Sequence, residues 1–186
     1  MTCLVCDAPE TQDIGVLLAH IENVAALVTL ACDFAERAVY LAPAPEASRR
    51  WLEATRAWKE SPEAAEAASV QASAAAEEEL QWSDETGVWY RSLKLKDASQ
   101  AVAWAVGSPV KGETLEATKW AAIWAANTAL DSYLERAWQL VHVRETACTC
   151  LVLPDPPPDC PRSRRSLLAD PDRPLERLCS ETVMGP

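Results

Sequence analysis

Between Glu60 and Tyr90 the chain has no lysine and no arginine, yet eight acids fall in the same 31 residues: Glu60, Glu63, Glu66, Glu77, Glu78, Glu79, Asp84 and Glu85. Basic residues are scarce throughout, 17 against 28 acids, for a net charge of −11. That balance argues against a nucleic-acid partner, because phosphate contacts require Lys and Arg. It argues equally against docking on an anionic membrane surface. Glycine is scarce too: five in 186 residues are too few for a turn-rich β protein. Only two histidines are present, so general acid–base chemistry would fall to carboxylates, and no paired-carboxylate arrangement emerges from the sequence. No apolar run approaches the ~20 residues of a membrane-spanning helix; the most apolar window, Val24–Cys32, is far shorter. Residues 1–10 carry neither the basic stretch nor the apolar run of a secretory signal. The seven cysteines are therefore expected as thiols of a cytoplasmic protein rather than as a disulfide frame.

What the chain does have is alanine, glutamate and tryptophan. Ala and Glu favour helix, and eight Trp supply the bulk that Ala lacks. The expected fold is all-α: a compact bundle of five or six helices over residues 11–150, after a frayed N-terminus (1–10) and before a disordered Pro-rich tail (151–186). Residues 1–150 hold 22 acids and 12 bases, so the acidity belongs to the folded part.

A first helix is expected from Thr11 or Asp13 through Val16, Leu17 and His20, bending at Glu22–Asn23, where Asn can cap. The second carries Leu27, Leu30, Phe34, Ala38 and Leu41 at steps of three and four, and Pro43 and Pro45 end it. The third starts near Pro45 or Glu46 with Trp51, Leu52, Thr55 and Trp58 as its stripe. Ser61-Pro62-Glu63 reads as a helix start. The helix that follows should reach Leu80 or Trp82 and turn Ala64, Ala67, Ala68, Val70, Gln71, Ala74 and Ala75 inward. Ser83–Gly87 reads as a loop, and a fifth helix spans Leu93–Val106 before Gly107-Ser108-Pro109. A sixth, residues 113–144, carries Trp120, Ile123, Trp124, Asn127, Leu130, Leu134, Trp138 and Val141 on one stripe. It should be the longest element, with Trp51, Trp58, Trp120 and Trp124 in the core and Asn127 as a satisfied core polar group.

Candidate sites are few. Cys3-x-x-Cys6 and Cys148-x-Cys150 could together offer four thiolates to zinc, but Cys-x-Cys is an unusual spacing, and unpaired thiols are the better reading. His20-Ile-Glu22 has the His-x-Glu half of a zinc deaminase without the Pro-Cys-x-x-Cys half. No catalytic, metal or cofactor site is expected. Asp33, Glu36 and Arg37 stand opposite Arg49, Arg50 and Arg56 on the next helix, as an ion-pair network tying the elbow would require.

Two segments carry a resemblance. Ala31-Cys32-Asp33-Phe34-Ala35-Glu36-Arg37, then Arg49-Arg50-Trp51-Leu52-Glu53-Ala54-Thr55-Arg56-Ala57-Trp58, resemble the Ala-rich helical immunity-protein family of bacterial polymorphic toxin systems, the fifth numbered of these families. Members show a Cys-x-x-Ala-Glu-Arg helix, an Arg-Pro-Arg-x-Ala-Ile-Glu-Ala-Ala-Arg-Ala-Trp helix and then long Ala-rich helices, here 64–79 and 117–133. The likeness covers roughly residues 15–145. It departs at Ser48-Arg49-Arg50, where the family has Arg-Pro-Arg, and at several Trp positions. The resemblance implies a bacterial cytoplasmic protein, not an enzyme, that binds and neutralises a cognate protein toxin. Complementary charge makes a basic toxin the expected partner. The expected contact residues are Glu63, Glu66, Glu77, Glu78, Glu79, Asp84 and Glu85. The alternative is a helical bundle that holds a small ligand in a Trp-lined pocket.

Overall fold

Asn23 sets the frame of the bundle. Its side-chain oxygen accepts from the backbone N–H groups of Ala25 (3.0 Å) and Ala26 (3.3 Å) and so opens the central helix. The computed structural model describes residues 13–42, 47–86 and 91–147, the side chains of 80–86 and 91–93 excepted. Within them the chain forms seven helices and no strand: α1 (Ile14–Leu18), α2 (Val24–Leu41), α3 (Ala47–Arg56), α4 (Pro62–Thr86), α5 (Arg91–Gly107), α6 (Thr114–Thr128) and α7 (Ser132–Ala147). The all-α bundle is as expected. The N-terminal ten residues, the Pro-rich tail and the cysteines at 3, 6, 148 and 150 lie outside the described residues.

Helices α2, α5 and α6 pack on one another at the centre. Leu27, Val28, Leu30, Ala31, Phe34, Ala35 and Ala38 of α2 are buried there with Ala98, Ala101, Val102, Ala105 and Val106 of α5 and Ala121, Ala122 and Ala125 of α6. Alanine dominates two of the three faces, so the backbones approach closely and the larger side chains of α2 fill what remains. Helix α3 lies against α2, α4 and α5, α4 covers α5 on the outside, and α1 and α7 sit beside α6.

The expected helix over 113–144 is two helices. Helix α6 stops at Thr128, and Ala129 has extended backbone (φ −69°, ψ 153°). Asp131 then opens α7 by accepting from the N–H groups of Tyr133 (2.9 Å) and Leu134 (3.1 Å). Lys94 Nζ, reaching over from α5, donates to the carbonyls of Asn127 and Ala129, satisfying the last turn of α6 and complementing its dipole. The longest described helix is therefore α4, with 25 residues.

The stripe along this region also faces differently. The buried side of α6 is Ala117, Thr118, Ala121, Ala122, Ala125 and Ala126. Trp120 and Ile123 are exposed, as are Leu130, Leu134 and Val141, and Asn127 points to solvent rather than into the core. Close packing against α2 and α5 admits only small side chains, so the bulky residues flank the contact. Trp51, Trp58 and Trp124 are half-buried against the core, whereas Trp120, at 41% exposure, stacks on Trp104 at the surface (centroids 5.8 Å apart).

Candidate binding surface

Helix α4 begins as its sequence requires, with Ser61 ahead of Pro62 and Glu63 in the first turn. Its inward face is Ala65, Ala68, Ser69, Ala72 and Ala76, so that of the expected set only Ala68 is buried and the rest of the face lies one residue on. Ala64, Ala67, Val70, Gln71 and Ala74 are instead exposed. The helix also continues through residues 83–86, the expected loop. Local sequence gives little contrast where nearly every candidate is Ala, so the fit against α5 and α3 decides the face.

The outward side is where the acids collect. Glu63, Glu66, Val70, Ala74 and Glu77 follow steps of three and four and share one stripe. Glu78 is exposed beside it. Val70, 67% exposed, stands in the middle. A shallow hollow of about 450 Å³ follows this stripe, lined by Glu66, Ser69, Val70, Ser73, Ala74 and Glu77 of α4 and by Val110 and Lys111 of the α5–α6 turn. Lys111 is folded back over Trp104, its Nζ 6.0 Å from the ring centroid. A Cβ on Gly107 would stand 3.3 Å from Lys111 Cε, so the glycine makes room for the lysine stem.

Glu79 departs from the expected set, since it is half-buried. Burial, followed by the negative charge of Glu78, raises its carboxyl above its ordinary value. Asp84 and Glu85 belong to α4, but their side chains lie outside the described residues. Of the seven acids expected on one surface, Glu63, Glu66, Glu77 and Glu78 are placed together.

A second polar cluster joins α2, α3 and α7. Arg56 Nη2 donates to Asp33 Oδ1 (2.9 Å) and Glu36 Oε2 (2.7 Å). His142 Nε2 donates to Asp33 Oδ2 (2.9 Å). Burial alone would raise the Asp33 carboxyl, but the hydrogen bonds from His142 and Arg56 and the Arg56 charge outweigh it and hold it below its ordinary value. The His142 ring stacks on Trp138 (4.8 Å), and the edge of Phe34 meets both rings. Arg37 lies over Trp138, 4.4 Å from the ring centroid, and its Nε donates to both carboxylate oxygens of the buried Glu135.

The expected elbow network thus exists with different members. Arg49 and Arg50 are exposed, and Arg37 pairs across to α7. His142 and Glu135 carry no signal of these roles in their own neighbourhood, because the groups they bind, Asp33 and Arg37, lie about a hundred residues upstream. Chemically the cluster is a clamp. Burial pushes the adjacent Cys32 thiol up to about 12, so it is neutral at physiological pH and lacks the thiolate a nucleophile needs.

Among the described residues, no group of three His, Cys, Asp or Glu is arranged to hold a metal ion. No helix there is long and apolar enough to cross a membrane. No protein-family model, no curated protein and no solved structure matches this chain. The outer stripe of α4 is the surface on which charge, exposure and shape coincide.

Proposed function

We propose that this chain is a protein-binding bundle that uses the outer stripe of α4 to capture a basic protein. The observation that carries it is the alignment of Glu63, Glu66 and Glu77 about the exposed Val70, along a helix without a single Lys or Arg. Like charges along one helix face repel and cost stability. A basic partner relieves that repulsion, is steered to it over the Debye length, and finds an apolar contact at its centre. The resemblance of residues 31–58 specifies the partner further: a toxin that the chain neutralises, with this protein as its immunity factor. The side chains that carry that resemblance, Asp33, Glu36, Arg37 and Arg56, are spent on holding α2, α3 and α7 together. The frame would then be shared, and the recognition surface would lie on α4.

The Trp-lined ligand pocket has less behind it. The hollow that Trp104 lines is about 150 Å³, below the ~300–1,000 Å³ usual for small-molecule sites.

The test is comparative capture. The immobilised wild-type chain and its Glu63→Lys/Glu66→Lys/Glu77→Lys variant are offered the soluble proteins of a bacterium that encodes the chain. Wild type should retain a basic protein that the variant releases. Association should slow by about tenfold or more in the variant and lose its salt dependence. Co-expression of the wild-type chain should restore growth to cells poisoned by that protein. Identical capture and identical salt slopes would remove the α4 stripe from the mechanism; capture without growth rescue would remove the immunity role alone.

A further inference from the structure

A hollow larger than either of those lies away from α4, between α1, α6 and α7. It is an open groove of about 910 Å³. Ala19, Ala122 and Ala126 make it wide, because three methyl groups leave space where longer side chains would meet. Ile14, Val16 and Ile123 give it apolar walls, and Val16 and Ile123 are about 40% exposed to the open space. In a chain with 28 acids and 17 bases, this groove is lined by two cations, Lys119 and Arg136, and one acid, Asp13.

The three charges are differently committed. Asp13 caps α1, its Oδ1 accepting from Gly15 N at 2.8 Å. Lys119 crosses the backbone of Gly15, where a Cβ would stand 3.7 Å from Lys119 Cε, and donates to the exposed Glu116 at 2.7 Å. Such an exposed pair, three residues apart on one helix, contributes little and gives way readily. Arg136 is exposed and has no ion-pair partner among the described residues.

Gln139 supplies the independent sign of a ligand. It is 1% exposed and lines the groove. Its Nε2 donates to Ala122 O at 2.9 Å, which fixes the orientation of the amide. Its Oε1 accepts from no described residue. It is also not sealed off, unlike Ser108 Oγ and Trp124 Nε1, the buried side-chain atoms without a partner among the described residues. An unpaired amide oxygen on a buried side chain that lines an apolar groove is a fixed acceptor waiting for a donor.

We infer that the α1–α6–α7 groove binds a small amphipathic carboxylate: an alkyl chain against Ile14, Val16 and Ile123, a carboxylate on Arg136 and Lys119, and a hydroxyl or N–H group donating to Gln139 Oε1. Hydroxy acids of medium chain length carry all three features. The site is separate from the α4 stripe and does not depend on the partner proposed there.

Calorimetric titration of the full chain with 3-hydroxyoctanoate, octanoate and octan-1-ol tests it. The hydroxy acid should bind saturably. Octanoate, lacking the donor, should bind severalfold more weakly, and the uncharged alcohol about tenfold more weakly or worse. Arg136→Gln/Lys119→Gln should weaken the hydroxy acid by about tenfold while leaving octanol unchanged. Both are surface changes, and circular dichroism should report the native fold. Ala19→Trp, at an exposed position on the rim, should block all three compounds. Equal binding of acid and alcohol would overturn the inference. So would undiminished binding in either variant, or no saturable binding of the hydroxy acid below about 5 mM.

Discussion

Arg37 and Glu135, 98 positions apart, form a bifurcated pair: the single Nε–H of Arg37 serves both Glu135 Oε2 at 2.7 Å and Oε1 at 2.9 Å. The two ends differ in solvation, with side-chain exposures of 37% for Arg37 and 2% for Glu135. Removing the cation strands a buried carboxylate, whereas removing the acid leaves an arginine that water can reach. Arg37→Leu should therefore cost about 2–3 kcal/mol and Glu135→Gln about 1 kcal/mol. Urea denaturation of both variants measures the difference, and the reverse order would place the cost in the Arg37–Trp138 contact instead.

Asp33 makes stability depend on acid. Its folded-state value lies below that of the unfolded chain, because His142 and Arg56 outweigh the effect of burial. The stabilisation is therefore complete above the ordinary carboxylate value of about 3.9 and is lost as pH falls through the lower folded value. Asp33→Asn should be less stable than wild type at pH 7, and the gap should close below about pH 4. Thermal melts across pH 2.5–7 (a range set by about that value) would show it; a gap independent of pH would mean that packing, not charge, is what the carboxylate supplies.

Glu79 has the opposite sign. Burial and Glu78 raise its carboxyl, so its ionisation at neutral pH opposes folding. Glu79→Gln should raise the melting temperature at pH 7, and the gain should vanish once the wild-type group is protonated, below about pH 4. Glu77→Gln, on the exposed side of the same helix, should change far less. Equal effects from the two would mean that the gain reflects net charge alone.

The sequence pattern places Trp120 in the core, whereas the fold puts it at the surface on Trp104. Trp120→Ala should cost about 1 kcal/mol, the scale of an aromatic pair. Phe34→Ala should cost about 3–5 kcal/mol, since Phe34 is fully buried against Trp138 and His142. Chemical denaturation of the two variants gives the ratio directly.

Punctuation in the chain was the legible part. Asn23, the Pro43–Pro45 elbow, Ser61-Pro62 and Gly107 bound α2, α3, α4 and α5 close to where local rules put them, because caps and prolines act on their immediate neighbours. The break between α6 and α7 is masked, although Asp131-Ser132 is a cap signal, because the three–four spacing of Trp120, Ile123, Leu134, Trp138 and Val141 runs through it. The facing of α4 and α6 is hidden for a different reason. Ala differs little from Ala, so pattern favoured the larger side chains, while close helix packing favoured the smaller ones. On α4 the acids at 63, 66, 77 and 78 were legible as a surface, because charge without compensation must face water. The clamp of Asp33 with His142 and of Arg37 with Glu135 could not be read, since nothing local relates residues so far apart.

Among its described side chains, α4 meets α3 and α5 through the methyl groups of Ala65, Ala68, Ala72 and Ala76 and the hydroxyl of Ser69, with Gln71 Oε1 accepting from Trp51 Nε1 of α3 at 2.9 Å. Its outer side has no part in that fit. Substitution at Glu63, Glu66, Val70, Ala74 or Glu77 alters what the helix presents while leaving untouched what seats it. A lineage carrying this bundle can therefore retool one face repeatedly at almost no risk to the integrity of the scaffold beneath.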